Sequence, residues 1–278
     1  MMDIQFTKMN GLGNDFIMIN NLMAAPELPG TAIQQLCDRR RGVGADGLIA
    51  IEPSDRYDFT MRYYNSDGGE AEMCGNGGRC AVHFAATLGL GEDQSGKRHL
   101  KFITIAGPIE AWASASLVEL SMMDTKDMRL NIPLQVAQTQ KITHFIVAAT
   151  RHAVVPVDNA SSLTEEEVDR WGREIRYKPE FAPIGANVNF VSIQADGVLA
   201  LRTYEKGIEA ETHACGTGSI ACAVVLAHLG RSGSPARIRQ RGGEELKVSF
   251  NKQSFGASQV VLTGPVAYNF VGTAHIDG

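Results

Sequence analysis

Apolar positions along the chain fall into short alternating runs interrupted by two longer apolar segments. ASLVELSM (115–122) and LKVSF (246–250) alternate with period two, the pattern of strands that turn one face to a core. NGGRCAVHFAATL (76–88) and TGSIACAVVLAHL (217–229) are apolar on nearly every side, which predicts buried helices rather than surface ones. A glycine follows each, Gly89 and Gly230, as a helix stop. Two further helices are expected, one starting at Thr31 with Gln34 three residues on and one near Thr164 with Glu167 three residues on. Both spacings fit a capping box.

The pattern repeats. CGNGGRC, beginning at Cys74, is matched by CGTGSIAC, beginning at Cys215, an offset of about 141 residues. GVGADGLIAI (42–51) falls over PIGANVNFVSI (183–193), FTMRYYN (59–65) over LALRTYE (199–205), and SLVELSM (116–122) over SQVVLTG (258–264). Four matches in one order at a nearly constant offset predict an α+β fold of two pseudo-symmetric lobes, each a curled mixed sheet or barrel around a central helix. The N-terminal lobe is expected over 1–123 and the C-terminal lobe over 124–264. The linker is placed around DTKDMRLNIP (124–133).

The 278 residues suffice for two lobes with cores of their own. A net charge of −5 without a basic stripe argues against nucleic acid, and DRRR (38–41) reads as a solvated helix end. No apolar run reaches the roughly 20 residues of a membrane span, and the N-terminus lacks a signal peptide's apolar stretch. A cytoplasmic protein is expected. Five cysteines, an odd number at low density, argue for thiols rather than a disulfide framework.

Cys37, Cys80 and Cys222 lie on helical stretches and read as small buried hydrophobes. Cys74 and Cys215 differ, because each precedes a glycine at a strand-to-helix turn. There the helix dipole and free N–H groups favour the thiolate. The amides of Gly75-Asn76 and Gly216-Thr217 would form two anion cradles. Two thiols and two cradles suit proton transfer at a carbon beside a carboxylate, one sulfur removing the proton and the other delivering one to the opposite face. The five and six residues separating Cys74 from Cys80 and Cys215 from Cys222 exceed zinc-hairpin spacing, so no metal is expected. GVGADG (42–47) matches a dinucleotide fingerprint, but a helix precedes it and LIAIE reads as strand, the reverse of the required context.

With GLGNDF, NSDGGEAEMCGNGGRC, YEKG and ACGTG in this order, the chain resembles the diaminopimelate epimerase family over essentially its whole length. The resemblance implies racemisation of an amino-acid α-carbon without an organic cofactor, two barrel-like lobes with a central helix each, a C-terminal strand (265–278) packed back onto the first lobe, and a homodimer. It implies that Cys74 and Cys215 are the base and acid pair, with His152 beside the reaction. Gly75, Asn76, Gly216 and Thr217 would hold the substrate carboxylate, Asn14, Asn65 and Asn189 its polar groups, and Glu205 its reacting amino group.

Three positions depart from the family pattern. Lys206 stands where Arg is usual, ATRH (149–152) replaces GNPH, and Gly47 stands at a glutamine position. Lys206, Thr150, Arg151 and Gly47 would serve the distal end of the substrate, with Arg151 or Lys206 supplying positive charge to a distal carboxylate. KGIEAET carries one residue more than the shorter family form and adds Glu209. The expected reaction is interconversion of LL- and meso-2,6-diaminopimelate. A racemase for another amino acid on the same scaffold, and a non-catalytic amino-acid binder or thiol sensor, remain open on sequence. From the residues alone, Asn14 and Asn65 also read as turn residues, His152 as a structural histidine and Glu205 as half of a solvated ion pair.

Overall fold

A computed structural model describes residues 2–23 and 27–276. The chain divides into two compact units, Met1–Leu120 with Gly264–Gly278, and Ser121–Thr263. Unit 1 contains β1 (Met2–Gly11), β2 (Asn14–Asn20), α1 (Gly30–Cys37), β3 (Gly47–Glu52), β4 (Phe59–Asn65), β5 (Glu70–Ala71), α2 (Gly75–Thr87), β6 (Glu92–Gln94), β7 (Lys97–Thr104), β8 (Gly107–Ser114) and β9 (Leu117–Met122). Unit 2 contains β10 (Lys126–Val136), β11 (Thr139–Ala148), β12 (Thr150–Pro156), α3 (Glu165–Arg176), β13 (Asn187–Ile193), β14 (Leu199–Glu205), β15 (Ala210–Thr212), α4 (Gly216–His228), β16 (Ala236–Arg239), β17 (Glu245–Gln253) and β18 (Gly256–Pro265). The chain then returns to unit 1 as β19 (Ala267–Ile276), antiparallel to β1.

The repeat seen in the sequence is a repeat of pairing. In unit 1 the strand order is β19-β1-β2-β3-β4-β7-β8-β9, with β2–β3 and β4–β7 parallel and the other pairs antiparallel. In unit 2 the order β10-β11-β12-β13-β14-β16-β17-β18 has the same directions at every step, with β12–β13 and β14–β16 parallel. Each order is a mixed sheet curled around one helix. Helix α2 touches β1, β2, β3, β4, β7 and β8, and α4 touches β11, β12, β13, β14, β16 and β17. Helix α4 is as apolar as its burial demands, with Gly218 to Ala227 buried at every position, whereas α2 also buries Asn76 and Arg79. Gly89 and Gly230 end them at positive φ, 88° and 69°, the left-handed conformation that glycine adopts without a Cβ clash.

Helices α1 and α3 cover the other face of each sheet. Ile33 and Leu36 of α1 pack with Ile17, Leu48 and Tyr64, and Val168 and Ile175 of α3 pack with Val155, Val188 and Phe190. Strands β3 and β13, between an inner and an outer helix, are therefore buried along almost their whole length.

Two local expectations fail. Thr164 forms the full capping box with Glu167, but α1 begins one residue before Thr31. The Thr31 side chain thus lies inside the first turn, the Pro29 carbonyl accepts from Ala32, and Gln34 bonds the Asp67 carbonyl instead. The expected linker over 124–133 is mostly strand β10, paired with β11 through two register shifts. Asp127 and Asn131 sit there at φ 54° and 59°, at the two register shifts, so the polar residues of this stretch are bulges of a strand. The division into units falls inside β9, after Leu120.

An ion pair is repeated with the fold. Arg62 of β4 grips Glu70 of β5, and Arg202 of β14 grips Glu211 of β15, so each hairpin leading to a helix is tied across its two strands. Their settings differ. Glu70 keeps 28% of its side chain exposed, whereas Glu211 has none and also meets Arg241 at 3.0 Å. Removing Glu211 leaves guanidinium groups without their shared acid. Glu211→Ala is expected to lower the unfolding free energy by about 3–5 kcal/mol, and Glu70→Ala by less than about 1 kcal/mol, as read by urea titration. Equal losses would show that burial does not separate the two braces.

Unit 2 also buries two histidines on adjacent strands. Burial pushes His144 down to about 4 and His152 down to about 3, so both are neutral in the folded protein at neutral pH. In the unfolded chain each takes up a proton below about pH 6.5. The folded state accepts those protons only near its lower pKa values, so stability falls as pH drops from about 6.5 toward 4. The urea midpoint is expected to decline over that window, and His144→Gln to remove part of the decline. An unchanged slope in that variant would contradict the assignment.

Candidate active site

Cys74 is the N-cap of α2 and Cys215 the N-cap of α4, both in extended backbone. Helix geometry leaves the first backbone N–H groups without intrahelical acceptors, so each cysteine stands beside a set of amide donors. Around Cys215 these donors are in use. The Gly218 N–H donates to its Sγ at 3.3 Å, and the Thr217 hydroxyl lies 3.5 Å from the sulfur. A sulfur that accepts from an amide is stabilised as thiolate. The Cys215 backbone is fixed in turn: its N–H donates to Gln240 Oε1, Gln240 donates to Ser219 Oγ, and Ser219 donates to the Cys215 carbonyl.

The floor of this half-site is a polar network on β12, β13 and β14. Asn189 donates through Nδ2 to His152 Nδ1 at 3.0 Å and to the Ala153 carbonyl, and accepts at Oδ1 from the Thr203 hydroxyl. With Nδ1 accepting, the neutral imidazole carries its proton on Nε2 and donates to Thr150 Oγ1 at 3.1 Å. Asn187 also donates to Thr150 Oγ1 and accepts at Oδ1 from the Lys206 N–H at 2.8 Å. Gly218 sits directly on the network, since a Cβ there would stand 2.3 Å from Asn189 Oδ1 and 3.2 Å from Cys215 Sγ. Glu205 ends β14, where burial raises its carboxyl above the usual range and a bond from the Thr212 hydroxyl offsets part of that rise.

In unit 1, Asn14 opens β2, with Nδ2 donating to Asp46 at 2.6 Å. That bond fixes its amide, so Oδ1 accepts from the Cys74 thiol at 3.5 Å and from Asn76 Nδ2 at 3.4 Å. Asn65, at the end of β4, is cross-strand from Gly47 and accepts from the Tyr63 hydroxyl at 2.9 Å. Gly47 has no room for a side chain: a Cβ would lie 2.8 Å from the Tyr63 ring and 2.5 Å from the Tyr64 carbonyl. The aromatic ring occupies the space that a glutamine would need.

The structure thus gathers Cys74, Gly75, Asn76 and Asn14 at one helix terminus, and Cys215, Gly216, Thr217, His152, Asn189 and Thr150 at the other. It separates Arg151 from its neighbours. That guanidinium lies over the Phe145 ring, 5.0 Å from its centroid, and donates to the Phe181 carbonyl, on the opposite side of β12 from Thr150 and His152. Asn189 is fully buried with both side-chain ends bonded inside the protein, whereas Asn187, which the sequence did not single out, links Thr150 to Lys206. Both stand on one face of β13, and period-two alternation alone cannot tell them apart. Glu209 braces its own loop by accepting from Arg176, Tyr177 and Tyr204. Among the described residues, no three His, Cys, Asp or Glu side chains are grouped to hold a metal.

Cys37 and Cys80 are pushed up by burial, to about 11 and about 12, and burial also pushes Cys222 well above the usual thiol range. These three thiols stay protonated at neutral pH.

Comparison with known proteins gives the family. A family model for diaminopimelate epimerase matches residues 6–123 and 145–268. The diaminopimelate epimerase of Chlorobaculum tepidum is 39% identical, covering 95% of this chain and 99% of the relative, and that of Aquifex aeolicus is 36% identical, covering 97% of each. Among solved structures, a hydroxyproline epimerase from Agrobacterium vitis superposes with a TM-score of 0.73 at 17% identity, covering 99% of this chain and 93% of that one, a likeness of fold. The chain belongs to the diaminopimelate epimerase family.

Proposed function

We infer that the protein is a cofactor-independent epimerase that interconverts LL- and meso-2,6-diaminopimelate, a step of lysine biosynthesis. The observation that carries the reading is the pair of cysteine N-caps at repeat-equivalent positions in a chain of this family. One thiolate takes the α-proton from one face of the carbon. The other thiol delivers a proton to the opposite face, and the stereocentre inverts. Cys74 and Cys215 exchange these roles with the direction of reaction. Negative charge that builds on the substrate carboxylate as the proton leaves is met by the amides of Gly75-Asn76 and Gly216-Thr217. His152, neutral with its proton on Nε2, orients Thr150 and Asn189 and does not carry charge into the reaction. Glu205 receives the substrate ammonium, which offsets the burial that raises its carboxyl.

At the distal end, Lys206 is the proposed partner of the second carboxylate. Its ammonium has no acidic partner among the described residues, whereas the Arg151 guanidinium is engaged with Phe145 and Phe181. Asn14, Asn65 and Asn187 complete the polar lining. The working form is proposed to be a cytoplasmic homodimer. Among the described residues, no helix is long and apolar enough to cross a membrane.

Incubation with LL-diaminopimelate in D₂O tests the chemistry. Product formed early should carry deuterium at the inverted carbon while remaining substrate gains little, because each sulfur delivers its own proton. Cys74→Ala and Cys215→Ala should each abolish turnover, a loss of about a thousandfold or more. Near-native turnover in either variant rules out the two-thiol assignment.

Lys206→Ala should raise KM for diaminopimelate by about tenfold, the scale of one charged hydrogen bond, while Arg151→Ala leaves KM near the parent value. The reverse pattern would move the distal site to Arg151.

A further inference from the structure

Arg79 is the charged member of the CGNGGRC motif, the reaction above gives it no role, and it is completely buried. Helical side chains lean toward the N-terminus, and this one folds back beneath the first turn of α2. Its Nη1 donates to the Gly75 carbonyl at 3.2 Å and its Nη2 to Asn76 Oδ1 at 2.8 Å, while Nε is buried without a partner. No acidic side chain among the described residues pairs with it. Gly11 of β1 leaves the space, since a Cβ there would stand 3.4 Å from Nη2 and 3.1 Å from the Asn76 carbonyl.

A cation is badly placed here. The amino end of a helix already carries positive potential, and a guanidinium adds to it. Burial without an acid costs more again, and desolvation pushes Arg79 down to about 10, still protonated at neutral pH. Such an arrangement is stabilised by an anion arriving at the same terminus. Cys74, the N-cap, is in place for that, and negative charge on its sulfur and on Cys80 favours the charged guanidinium. The effect is reciprocal, so the guanidinium favours the thiolate. Cys80 is held protonated by its own burial, which leaves Cys74 to respond.

Other charges near the terminus are already committed. Asp46 is bonded to Asn14 and Arg39, and Asp15 to Arg39 and Lys8. Asn14 Oδ1 acts in the opposite sense by accepting from the thiol, but a neutral S–H bond at 3.5 Å is weak against a full charge in a dry site. The second helix lacks the device: Ile220, buried, stands where the repeat puts Arg79, and there the Gly218 amide reaches the sulfur instead.

We propose that Arg79 is a positioning residue for proton transfer, a buried cation under the first turn of α2 that holds Cys74 poised to ionise. The proposal rests on the reading of Cys74 as a proton-transfer group. Its test reads that thiol directly.

Iodoacetamide alkylation of the full chain in a Cys215→Ala background, with Cys74 modification located by peptide mass mapping, gives the pH of half-maximal reaction. Arg79→Met is apolar and similar in length, and buried ions often accept such replacement. It should move the Cys74 midpoint up by about one pH unit or more. Arg79→Lys, which keeps the charge, should move it less, and Ile220→Met should leave it in place. An unchanged midpoint in folded Arg79→Met, or a Lys variant shifted as far as Met, overturns the proposal. If Arg79→Met does not fold, the comparison passes to Arg79→Lys against Arg79→Gln: a lower midpoint for Lys supports the role and equal midpoints refute it. A Cys74→Ala enzyme that still turned over would remove the catalytic reading without touching this measurement.

Discussion

A helix without a polar face must be covered on every side, yet its amino end must stay open if it is to do chemistry. That constraint shapes both units. Helices α2 and α4 are mostly buried, with a sheet curled around each, and a cysteine caps the amino end of each. The residue preceding the helix is then held at the helix's amino end, with the amides of the first turn beside it. A cysteine at that corner is set by main-chain geometry, and Asn14, which opens β2, becomes the neighbour of the Cys74 thiol.

Much of this was legible in the sequence because it depends on local pattern. The two apolar segments begin and end within one residue of the helices they predict, and Thr164 with Glu167 caps α3 as its spacing implies. What escaped depends on tertiary partners. Thr31 failed as a cap because Pro29 had already turned the chain into α1. The polar run at 124–133 hid a strand, since bulges at Asp127 and Asn131 break the alternation that marks one. Asn187 and Asn189 differ only in what lies above them, which no spacing records. Arg79 gave one usable signal: aligned on the repeat, a charged residue falls over Ile220.

The frame is duplicated while the chemistry is not. Asn14 bonded to Asp46 in unit 1 becomes Thr150 bonded to Asn187 in unit 2, and Asn65 at the end of β4 becomes Glu205 at the end of β14. One cysteine receives an amide at its sulfur, and the other lies over a buried cation. A symmetric frame suits a reaction that must run in both directions at one carbon. Unequal furnishing suits a substrate whose amino group, carboxylate and side chain are not interchangeable.

Strand β19 completes the sheet of unit 1 along β1, yet it follows the whole of unit 2 in the sequence. As the polypeptide leaves the ribosome, unit 2 is therefore a contiguous stretch free to fold, while unit 1 waits with the outer edge of β1 bare. The usual order of amino-terminal first is inverted for this edge. The interval is one in which β1 offers unsatisfied amides and carbonyls to any passing chain, so the vulnerable moment in this protein's life comes before its last strand docks.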